Sequence, residues 1–205
     1  MNKGYNSNSW TISYNEMHPY DRIVKEVYSN SMASVYILQS RRELRMLADT
    51  RTFNFLKEKL MLKNFKHVAK ITECFELGKP SFDEDEHEYC VISEPLNRDI
   101  IGQNITQSGI NLFRDSWMEH LHCLDCHVYN HIIDAYTQRK TVDEEKVLRI
   151  IDNSDKSIEE KTIARALSSA YKDVMALGTS MIWPYPINIG LSDDAIVKIT
   201  IIGIR

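Results

Sequence analysis

Apolar positions along the chain change their spacing more than once. From Trp10 to Leu38, β-branched and aromatic residues come in short runs, broken at His18-Pro19 and at Ser29-Asn30-Ser31. Runs of this kind between turn residues predict a hairpin or a small meander. Between Arg51 and Lys63 the spacing turns helical, with Phe53, Leu56, Leu60 and Leu62 on one stripe, and a helix is expected there. His67 to Leu77 and Glu88 to Leu96 read as two strands. Gly78-Lys79-Pro80 and the acidic run Asp83-Glu84-Asp85-Glu86 would form the exposed loop joining them.

The second half carries longer helical stripes. Leu112 to Arg139 sets Trp117, Leu121, Leu124, Val128, Ile132 and Ala135 on one face. Thr141-x-x-Glu144 and Ser157-x-x-Glu160 are both capping-box patterns that open helices. The second helix would run through Ile163, Leu167, Ala170, Val174 and Leu177, with Gly178 placed to end it. Two last apolar runs, Ile187 to Leu191 and Ile196 to Ile201, flank Ser192-Asp193-Asp194-Ala195 and predict a β-hairpin. The order is α+β, in two parts. Residues 1–96 would be a β-rich domain with one helix, and residues 97–205 a mainly helical one with a terminal hairpin.

Composition narrows the function classes. The chain has 205 residues, 43% hydrophobic and 26% charged, with a net charge of −4. That is the balance of an ordinary globular protein, and it lacks the basic footprint of a nucleic-acid binder or of a protein that docks on an anionic membrane. No apolar run reaches the ~20 residues of a membrane span, and the Asn/Ser-rich N-terminus has no apolar signal core. A cytoplasmic protein is expected, with Cys74, Cys90, Cys123 and Cys126 as thiols.

Three segments, in order, resemble protein kinases. Lys57 to Lys63, continuing through Phe65 to Ile71, looks like the small-lobe helix and the fourth strand after it, with Glu58 at the ion-pair glutamate position. Tyr89 to Leu96 looks like the fifth strand entering the interlobe hinge. There Ser93 would be the gatekeeper, and the backbone of Glu94 and Leu96 would face an adenine. Pro186-Ile187-Asn188-Ile189-Gly190-Leu191, followed by Val197-Lys198-Ile199, resembles the end of the catalytic loop and the hairpin leading to the metal-binding motif. The resemblance implies a two-lobed protein-kinase-like domain. Two residues follow Gly203, which implies a truncated large lobe. Hinge to catalytic loop spans about 90 residues, roughly double the usual interval, which implies a helical insertion.

Phosphoryl transfer in that family needs a catalytic aspartate, an asparagine and an aspartate for Mg²⁺, and a lysine for the phosphates. The catalytic aspartate position falls on Trp183 and the metal-binding aspartate position on Ile201. Asn188 survives, but one neutral amide cannot hold Mg²⁺ against its hydration shell. The glycine-rich loop maps onto Ser29 to Tyr36, which contains no glycine. Arg45 stands nearest the third-strand lysine. Base, metal and phosphate cradle are lost together, so no catalytic residue, no ATP or Mg²⁺ and no cofactor is expected. What remains is a vestigial cleft of Arg45, Glu58, Ser93, Glu94, Leu96 and Asn188. The expected function is that of a pseudokinase that binds and modulates a partner protein. A pared-down host-like fold is the form expected of a virus- or phage-encoded effector. The apolar face that the family's missing helices normally bury would be covered by the inserted helices between about 98 and 156, by a second copy or by a partner. An atypical ATP-dependent transferase is the alternative within this resemblance.

A third reading rests on His120, Cys123, His127 and His131, which fall within about 80° of a helical arc. Pairs four apart can chelate one ion from adjacent turns, and zinc needs three or four ligands, so others would have to come from elsewhere. The competing reading is the boundary face of a buried helix, with Cys as a small hydrophobe. Arg41-Arg42-Glu43-Leu44-Arg45 reads as a solvated strand or loop edge.

Overall fold

The structure, a computed structural model, describes residues 7–29, 33–47, 49–78, 87–120, 143–179, 184–201 and 203–204. It is α+β, and its contacts separate two compact units. The first comprises Met1–Asn64 and Ala69–Leu96, the second Phe65–Val68 and Asn97–Arg205.

The first unit opens with helix α1 (Ser7–Met17), where the sequence predicts strand. β-branched and aromatic residues favour a strand there, but Trp10, Ser13 and Tyr14 recur at helical spacing and all three are buried. Tertiary burial overrides local propensity at this site. Strands β1 (Ile23–Ser29), β2 (Ala33–Leu38) and β3 (Glu43–Leu47) follow. Helix α2 (Thr50–Phe55) runs on into a π-helical turn, Leu56–Leu60, and strands β4 (Ile71–Gly78) and β5 (His87–Ser93) complete the unit. All pairings are antiparallel, in the order β1-β2-β3-β5-β4.

Period-two alternation gives this sheet two faces. On one, Tyr36, Leu38, Leu44, Met46, Leu77, Cys90 and Ile92 form a core with Trp10 and Tyr14 of α1. On the other, Leu47 lies opposite Tyr89, and the Phe53 ring of α2 packs against Tyr89 at 4.9 Å between centroids, tilted by 35°. Asp49 caps α2 by accepting from the Arg51 and Thr52 amides. The β1 end is tied to its surroundings by Asp21, whose carboxylate accepts from the Ser40 amide and hydroxyl and pairs with Arg42 at 2.8 Å. Arg42 also bridges to Glu73. Strand β1 is a sheet edge, and its pairing with β2 is irregular between Ile23 and Lys25 and again between Glu26 and Tyr28. Lys25 and Glu26, between these two irregularities, are exposed.

The second unit contains helices α3 (Gln103–His120), α4 (Glu144–Asn153) and α5 (Ile158–Met175). Helix α3 starts nine residues before the predicted Leu112. Its stripe of Thr106, Gly109, Ile110, Phe113 and Trp117 is buried. Gly109, a poor helix former, is needed there because an added Cβ would lie 2.7 Å from the Ile163 Cβ of α5. Rings of Phe113, Trp117 and Tyr171 pack with centroids 5.0–6.1 Å apart, and the Trp117 indole N–H donates to the buried Ser168 hydroxyl at 3.2 Å. The Ser157–Glu160 capping box is present with both bonds, and Gly178, at φ 89°, follows the end of α5. Helix α4 is capped by Asp143, which accepts from the Lys146 amide, rather than by the predicted Thr141, which lies outside the described residues.

A single 3₁₀ turn (Pro186–Asn188) leads into the hairpin of β6 (Ile189–Leu191) and β7 (Val197–Ile199). The hairpin is held from both sides. Asn97 and Leu191 exchange two backbone bonds of 2.8 and 2.9 Å, and the Ile199 amide donates to the His67 carbonyl at 2.9 Å. The His67 Nδ1 lies 2.8 Å from the Val197 carbonyl, which accepts its proton.

Candidate functional site

In the first unit Glu43, Arg45 and Ser93 share the face of the sheet away from α1. Glu43, Arg45 and Leu47 alternate on that side of β3, and Glu43 lies directly opposite Ser93 of β5. Arg45 and Glu43 form an ion pair at 3.3 Å, with side-chain exposures of 2% and 0%. Sequence reading expects a solvated edge at Arg41 to Arg45. The structure leaves Arg41 exposed and Arg42 half-buried but makes β3, from Glu43 on, a central strand buried along its whole length. Two charges are tolerated there because they stand two residues apart, on one side of the strand, and neutralise each other. Glu43 is the residue that sequence reading missed. The signal was its position two before Arg45 in an otherwise apolar strand.

Ser93 is 2% exposed, and its hydroxyl meets no hydrogen-bond partner among the described residues. Glu94 clamps β4 to β5: its amide donates to the Lys70 carbonyl at 2.9 Å, and its carboxylate accepts from the Lys70 amide at 2.6 Å. Leu96 is buried. Glu58 sits in the π-helical turn between Lys57 and Lys59, all three exposed, while Leu56 and Leu60 face inward. Arg45 is therefore paired with Glu43, a residue on its own strand.

Cys74, on β4 opposite Val91, is half-buried. Burial pushes its thiol up to about 11, with Lys57 pulling weakly the other way. Burial thus favours the thiol over the thiolate, the nucleophilic form.

Asn188 and Ile201 belong to the second unit. Asn188 is 2% exposed, and its carbonyl accepts from the Thr200 amide at 2.8 Å and the Thr200 hydroxyl at 3.0 Å. This pairing fixes the turn before β6 to the strand end that carries Ile201, itself buried. Asp173 on α5 has its carboxyl raised, chiefly by burial and also by the Glu144 carboxylate, against the pull of Lys172 and His67.

Trp183 lies outside the described residues, as do Cys123, His127 and His131 of the suggested zinc set and the 83–86 acidic run. His120, the last residue of α3, is described. Its Nε2 accepts from the Asp143 amide at 3.1 Å, so that nitrogen already serves the start of α4. Among the described residues no three His, Cys, Asp or Glu side chains are grouped to hold a metal ion. Among the same residues, no helix is long and apolar enough to cross a membrane. A scan against protein-family models and a search of curated protein sequences found no match for the chain.

Proposed function

We propose that the chain is a catalytically inactive protein-kinase-like protein that acts by binding and modulating another protein. The observation that carries this reading is the buried Arg45–Glu43 pair. Arg45 stands nearest the phosphate-binding lysine in the sequence resemblance. With side-chain exposures of 2% and 0%, the pair is closed off, and a phosphate could reach the Arg45 guanidinium only if β3 and its neighbours gave way.

Two further features support the proposal. Three antiparallel strands, a helix and two more strands follow one another in the first unit, in the order the resemblance implies. At the metal positions the second unit offers an amide, Asn188, and an alkyl group, Ile201, so the carboxylate that usually anchors Mg²⁺ beside the phosphates is missing from that pair.

Thermal unfolding with and without Mg·ATP tests the reading, alongside mass spectrometry after incubation with ATP and Mn²⁺ or Mg²⁺. The expected outcome is no shift in Tm and no phosphate or nucleotide adduct. A rise of several degrees that Asn188→Ala abolishes would overturn it.

A further inference from the structure

We draw no further inference here: the strongest candidate, the exposed apolar side chains Met17, Tyr20 and Val24 where α1 hands over to β1, is an unpartnered surface, and nothing in the structure shows what covers it.

Discussion

Glu43 and Arg45 set a buried charge balance within a single strand, and each depends on the other. Removing one takes a close opposite charge from its neighbour where water is excluded. Glu43→Ala should therefore destabilise the first unit by about 3–5 kcal/mol. The double variant Glu43→Leu/Arg45→Met should recover most of that loss, because apolar side chains of similar volume often replace a buried pair at no net cost. Urea unfolding of Glu43→Leu, Arg45→Met and the double variant measures the coupling. Additive losses would show that the two charges are not energetically linked.

Asp21 is a second case where one carboxylate organises several strands. Burial alone would raise its carboxyl, but hydrogen bonds from Arg42 and Ser40 outweigh burial and hold it below the usual range. A group whose folded pKa is depressed adds stability that is complete above its unfolded value, here near 3.8. That stability is lost as pH falls through the folded value. Asp21→Asn should accordingly lower stability at pH 7, and the gap from the parent should shrink by about pH 3. A gap that stays constant over that range would mean that the Asp21 charge contributes nothing.

At the level of helices and strands, legibility followed the physics that set each element. Ser157-x-x-Glu160 was readable because a capping box is local, and both of its bonds are present. The β6–β7 hairpin was readable for the same reason, its apolar runs flanking the polar turn that starts at Ser192. Helix α1 was not, because Trp10 and Tyr14 are held helical by a sheet whose strands come later in the chain. The early start of α3 was hidden by Gly109, which local propensity counts against a helix and which packing against α5 requires. The candidate site was half legible. Arg45 stood out by residue type, whereas its partner Glu43 emerged only once β3 proved to be a strand, whose alternation puts both on one face. Gly109→Ala tests the packing argument directly. Its Cβ would press on the Ile163 side chain and come within 3.0 Å of the Glu160 carbonyl, so α3 and α5 must separate. A destabilisation of about 1–3 kcal/mol is expected, read as a lower urea midpoint. Ala is intrinsically the better helix former, so a rise in stability would show that the two helices do not approach this closely.

On the scale of the whole molecule, each unit has its own core: one between α1 and the five-stranded sheet, the other among α3, α4 and α5. The edge strand β1 then governs how separate copies meet in a crowded solution. Its two irregularities interrupt the even row of backbone donors and acceptors that another strand would need. A copy pairing antiparallel about an axis through either central residue would set Lys25 against Lys25, or Glu26 against Glu26, which is unfavourable in both registers. Replacing both by Lys25→Ile and Glu26→Val would remove that repulsion and leave a run of apolar residues from Ile23 to Tyr28. Light scattering of concentrated samples should then show larger particles and thioflavin-positive deposits where the parent stays dispersed. Unchanged scattering would mean that the bulged backbone alone protects the edge. Two charged side chains on one short strand thus bear on how concentrated the protein can become before it clumps, a property separate from how tightly any single copy is folded.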